Sequence, residues 1–142
     1  MKLSQQGLDL IKRHEGLKLK AYICPAGIPT IGYGHTRTAQ IGGTITEQQA
    51  EELLKQDVSY AEVGVYRQLP NLKQNQFDAL VSFVFNVGYG NFQKSTLLKR
   101  IKEGAACSEI KYQFSRWNKG GGKVLAGLTK RREDESNLYC NG

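Results

Sequence analysis

Proline is nearly missing from this chain of 142 residues, with three, and tryptophan and methionine occur once each. So few prolines exclude a proline-rich linker. Nowhere do seven apolar residues run together, and no stretch approaches the roughly 18 of a transmembrane helix. The expectation is a protein with no signal peptide, made and held in the cytoplasm until something else releases it. No internal repeat or low-complexity tract is present. The three cysteines, Cys24, Cys107 and Cys140, are an odd number without CxxC spacing. That argues against a disulfide framework or a zinc site, and for free thiols in a reducing compartment. Gly32-Tyr33-Gly34 is followed by no GK[ST], so nucleotide binding is rejected.

What is present suits one globular domain, since 39% hydrophobic residues over this length can bury a real core. The net charge of +7 is unevenly spread: residues 38–66 carry one base against five acids, and residues 1–37 carry six against two. Such asymmetry predicts a basic face for a polyanion, either nucleic acid or an anionic cell surface. Lysines kept for solubility account for about half of these charges.

The patterning is mainly helical. Leu8, Leu10 and Ile11 form the apolar side of a short first helix capped by Ser4, and residues 21–33 read as a small hairpin or three-strand ribbon. Thr46 and Gln49 fit a capping box opening a long helix over residues 46–67. In residues 74–87, Phe77, Leu80, Val81, Val84 and Phe85 recur at helical spacing, and a plain core is a better account of that stripe than a ligand groove. A helix follows Ser95 or Thr96, another covers residues 105–117, Gly120–Gly122 reads as a mobile loop, and Thr129 starts a last short helix. The fold class is α+β, mostly helical, with one small sheet near the N-terminus.

Glu15, Cys24 and Thr30 carry the chemistry. An acid, a thiol and a hydroxyl within one helix end and one β-turn suit proton transfer to a leaving group and control of a water, the two tasks of glycoside hydrolysis. Glu15 faces the negative end of its helix dipole, which disfavours a second negative charge and suits a group that must carry a proton. Each residue also has a plainer reading. Glu15 could be a surface carboxylate paired with Lys12 or Lys18, Cys24 a small buried hydrophobe, Thr30 a strand former, and His35 a structural hydrogen-bond donor.

The spacing Glu15, eight residues, Cys24, five residues, Thr30 matches the catalytic pattern of the phage-type lysozymes, the endolysins or muramidases. The segments EGLKLKAY, PTIGYGHT, TITEQQAEELL, QNQFDALVSFVFNVG and STLLKRI, with Trp117 and Arg131-Arg132, resemble that family over nearly the whole chain. The resemblance implies a lysozyme-like two-lobed fold. A β lobe over about residues 16–45 and a connecting helix over 46–67 lead to a helical lobe over 68–142 that also takes the first helix. Bacterial peptidoglycan would lie in the cleft, cut at the β-1,4 link from N-acetylmuramic acid to N-acetylglucosamine. Glu15 would be the acid, with Cys24 and Thr30 handling the water or the developing cation. Tyr33, Gly34, Asn86 and Arg131 would contact substrate, with Arg131 also near Glu15, and His35 and Asp57 would form a structural ion pair. Many relatives carry aspartate at the position of Cys24. The resemblance further implies no metal or organic cofactor, a monomer without stable membrane insertion, release by a separate holin, and action at the periplasmic wall.

Two alternatives come from other classes. One is a peptidoglycan peptidase or amidase using Cys24 and His35, for which no orienting third residue is evident. The other is a basic nucleic-acid-binding module, for which no motif is present, so no nucleic-acid partner is expected.

Overall fold

The computed structural model describes residues 1–141. Helices α1 (Gln5–Glu15), α2 (Glu47–Asp57), α3 (Ser59–Gln68), α4 (Gln74–Val87), α5 (Tyr89–Gln93), α6 (Thr96–Lys102), α7 (Cys107–Ser115) and α8 (Ala126–Asn141) dominate the chain. Strands β1 (Lys18–Ile23) and β2 (Pro29–Gly32) form one antiparallel ribbon, and β3 (Lys119–Gly120) and β4 (Lys123–Val124) another. The chain divides into two compact units, Ile11–Tyr60 on one side and Met1–Leu10 with the chain from Ala61 onward on the other. These limits fall inside α1 and α3.

In the smaller unit, β1 and β2 pair with Tyr22 opposite Thr30 and Ile23 opposite Pro29. The Cys24 amide donates to the Ile28 carbonyl at 3.0 Å and closes the turn between them. An isolated two-stranded hairpin is marginal in water. Here the Gly43–Ile45 segment ties to β1, through Ala21 to Gly43 and Ile45 to Leu19, both at 2.9 Å. Ile31, Tyr33 and His35 are buried along with Ala50 and Leu54 of α2. Thr46 and Gln49 form the expected reciprocal cap, at 2.8 and 3.1 Å.

The single helix expected over residues 46–67 is in fact two. The Ser59 hydroxyl donates to the Gln56 carbonyl at 2.7 Å, and this local bond competes with the helical ladder at Val58.

In the helical unit, α4 is buried on nearly every side from Phe77 to Val84, as a central core helix must be. Phe83 meets Phe92, Phe114 and Trp117 edge-on at 6.3, 5.5 and 5.7 Å. Ser95, not Thr96, caps α6, accepting from the Leu98 amide at 3.1 Å. Two expectations are corrected here. The loop at Gly120–Gly122 is a β-hairpin, because Gly121 and Gly122 take φ of 59° and 80°, the pair of positive values a tight type I′ turn needs. The last helix starts at Ala126 and runs 16 residues, because its buried face carries Arg131, Arg132, Glu135 and Ser136, which show no apolar periodicity.

Cys107 and Cys140 form a disulfide, and Cys24 alone is a free thiol. The expectation of three free thiols fails because α7 packs on α8, which brings together cysteines 33 residues apart. Closing a loop of that length constrains the unfolded chain by about 3–4 kcal/mol. Dithiothreitol should therefore lower the urea midpoint of the wild type to that of the Cys107→Ser/Cys140→Ser variant. Equal midpoints with and without reductant would show that the bridge adds nothing.

Candidate active site

Glu15 is the last residue of α1, because Gly16 takes a φ of 73° and leaves the helix while its amide still reaches the Lys12 carbonyl at 3.0 Å. The half-buried carboxyl group lies over the backbone of Gly34. A Cβ at that position would stand 3.1 Å from Glu15 Oε1, and Gly34 has a φ of 83°. No other residue supplies both the space and the conformation. Lys12, one turn earlier, forms an ion pair with Glu51 and lies 5.6 Å from the Tyr33 ring centroid. The Lys12 ammonium first, and then Lys55, holds the Glu51 carboxyl below the usual carboxylate range.

Cys24 stands at the first corner of the hairpin turn and Thr30 begins the buried part of β2. The Thr30 hydroxyl donates to the Ile28 carbonyl at 3.0 Å. The Cys24 thiol is held below its ordinary value, chiefly by the backbone amide of Ile28, then that of Ala26, with a smaller contribution from the Thr30 side chain. The turn itself therefore stabilises a thiolate, and Lys18, Lys20 and Arg131 are not among the causes.

His35 is buried, with Nδ1 2.8 Å from Asp57 Oδ2 and Nε2 2.7 Å from Thr38 Oγ1. The Thr38 backbone N–H donates to Nε2 at 3.2 Å. An amide can only donate, so Nε2 accepts and the ring proton sits on Nδ1, facing the carboxylate. His35 and Asp57 are thus in direct contact. The arrangement also removes the peptidase alternative, since neither ring nitrogen is left to take a proton from Cys24.

The Tyr33 ring is buried, with the Lys12 ammonium 5.6 Å from its centroid.

In the helical unit, Asn86 is exposed on the last turn of α4. Arg131 is buried rather than displayed, donating to Glu135 Oε2 at 3.1 Å and to the Ser82 carbonyl at 3.2 Å. Arg132 and Glu135 were not singled out as site residues. The signal was present as two arginines with an acid at i+3 and i+4 in a run too polar for a core. Burial pushes the Glu135 carboxyl up, opposed by the two guanidiniums and the Ser82 hydroxyl at 2.6 Å. An open cavity of about 520 Å³ near Leu72, Ile101 and Tyr139 includes none of the candidate residues. Among the described residues, no group of three His, Cys, Asp or Glu side chains could hold a metal ion, and no helix is long and apolar enough to cross a membrane.

Comparison with known proteins places this geometry. The endolysin of Acyrthosiphon pisum secondary endosymbiont phage 1 is 45% identical over 144 residues, covering 98% of each chain. The endolysin from Escherichia coli O157:H7 phage FAHEc1 superposes with a TM-score of 0.93 at 40% identity, covering 99% of this chain and 94% of that one. The muramidase domain of SpmX from Asticaccaulis excentricus gives a TM-score of 0.91 at 39% identity over 99% of both chains. The phage lysozyme family model matches residues 12–135. On these grounds the chain belongs to the phage lysozyme family and is a glycoside hydrolase.

Proposed function

We propose that the chain cuts the β-1,4 bond between N-acetylmuramic acid and N-acetylglucosamine in bacterial peptidoglycan, with Glu15 as general acid. The observation that carries this reading is the carboxyl group of Glu15 held over a bare stretch of backbone, at Gly34, in the same compact unit as the Cys24–Thr30 pair. A carboxyl group placed beside the leaving oxygen can donate the proton that the departing group needs. Cys24 and Thr30 handle the other half of the reaction. A thiol whose charged form is favoured by backbone amides can take a proton from water or face a developing oxocarbenium ion, the work aspartate does in a two-carboxylate site. Asn86 contacts the sugar from the helical unit. The protein acts as a monomer on the wall after release by a separate membrane-permeabilising protein. The Cys107–Cys140 bridge suits that oxidising side of the membrane better than the cytoplasm.

Glu15→Gln keeps the shape of the side chain but has no proton to give, so it should fold normally and lose about 10²–10⁴-fold in release of reducing ends. A variant clearing walls at half the wild-type rate would remove Glu15 from the role of acid. Gly34→Ala should lose about 1–2 kcal/mol of stability from its left-handed backbone, and at least tenfold in activity as the methyl group displaces the Glu15 carboxyl. Unchanged activity in that variant would mean that the contact does not matter.

For Cys24, alkylation by iodoacetamide should follow a pH profile with its midpoint below the ~8.5 of a free thiol and should abolish lysis. Because the other two cysteines are bridged, the reagent reports Cys24 alone. Cys24→Asp should keep substantial activity and resist the reagent, whereas Cys24→Ala should lose most of it. A fully active Cys24→Ala protein would leave the residue a packing role only.

A further inference from the structure

The helical unit contains a charge arrangement that its packing does not call for. Arg132 of α8 is wholly buried, its guanidinium carbon 5.0 Å from the centroid of the Phe83 ring. Its Nε lies 2.9 Å from Glu135 Oε1 as an ion pair without hydrogen-bond alignment, and Nη1 has no hydrogen-bond partner among the described residues. Glu135 also pairs with Arg131, so the carboxylate that Arg132 faces is shared between two guanidiniums. An apolar side chain in place of Arg132 would pack α8 on α4 at lower cost, because an incompletely paired buried charge destabilises. The one outward contact of this guanidinium is Nη2 donating to Asn86 Oδ1 at 2.7 Å.

That contact fixes more than distance. A guanidinium has only donors, so the amide oxygen of Asn86 must face Arg132. The Nδ2 group, with no hydrogen bond among the described residues, then turns to solvent on an exposed residue. A surface asparagine normally flips between offering a donor and an acceptor; this one is locked as a donor. We propose that Arg132 is a positioning residue that locks the Asn86 carboxamide to donate to a carbonyl oxygen of the glycan, the N-acetyl group of an amino sugar. The inference rests on the glycan reading given above for this enzyme. An aligned donor discriminates an N-acetylated sugar from its free amine, because the ammonium of the latter offers no acceptor.

The test uses purified glycan strands from peptidoglycan, N-acetylated and chemically de-N-acetylated, with reducing ends as readout. Arg132→Met should unfold at the same urea concentration as the wild type or higher, keep kcat within twofold, and raise KM about tenfold on acetylated strands. It should also lose the preference for acetylated over de-N-acetylated strands. The Arg132→Met/Asn86→Ala double variant should be no worse than Asn86→Ala alone, as two residues acting through one contact require. Asn86→Asp, which keeps an acceptor for Arg132 but has no donor, should match Asn86→Ala in KM, and it tests the idea even if Arg132→Met does not fold. A wild-type KM in either Asn86→Asp or Arg132→Met, or KM effects that multiply in the double variant, would overturn the proposal. A wild type that releases no reducing ends would instead refute the underlying glycan reading.

Discussion

Glu135 has no exposure to solvent, and two arginines of its own helix and a serine of α4 converge on it. Helix α8 has almost no apolar face, and where it packs against α4 Glu135 is the counter-charge of Arg132, whose guanidinium lies over the Phe83 ring. The two sides differ in kind. The phenylalanine cluster contributes through burial and edge-on ring contacts, which tolerate substitution by similar volumes. In the charge cluster, removing Glu135 is the costly change, because it would take from the buried Arg132 the carboxylate that it faces, at a cost of about 3–5 kcal/mol.

The smaller unit is built the opposite way. Its apolar core is thin, resting on Ile11, Ile31, Tyr33, Ala50, Leu54 and Val58, and its loops are held by short polar links. His35 joins Asp57 to Thr38, Thr46 caps α2, and the Cys24–Ile28 turn is closed by backbone bonds. Such links set positions to fractions of an ångström without filling much volume. That is what a catalytic group needs: a carboxyl group or thiol displaced by 1 Å loses most of its effect on a reacting bond. Hydrogen bonding of this kind also fixes the positions of Cys24 and Thr30 in so small a ribbon.

Legibility in the sequence followed the range of each interaction. The α4 core stripe, the Thr46–Gln49 cap and the helix end at Glu15 depend on residues within about four positions of each other, and all were readable. The break at Val58 was local too, but its cause is a serine hydroxyl bonding a carbonyl, which looks the same in sequence as a solvent-facing serine. The Cys107–Cys140 bridge and the Glu135 cluster depend on helix packing across tens of residues, and α8 concealed itself because charge stood where apolar residues were sought. The covering of Tyr33 by Lys12 needed the hairpin to be placed before it could be seen. For the candidate site, the spacing of Glu15, Cys24 and Thr30 was plain, whereas the role of Gly34 as the space beneath the carboxyl group was not.

A thiol at position 24, in place of a carboxylate, has a physical consequence. Aspartate is charged at neutral pH without help, so a site built on it needs only to keep it in place. A thiol is mostly uncharged there, and its contribution depends on what surrounds it. In this chain the help comes from the amides of Ile28 and Ala26, two groups of a turn that β1 and β2 close between them. The charge state of the candidate base is thereby coupled to the geometry of the hairpin turn. Any change that opens the turn withdraws the amides and weakens the preference for the thiolate. The ribbon thus tunes the Cys24 thiol as well as supporting it, a dependence that an aspartate at the same position would not have.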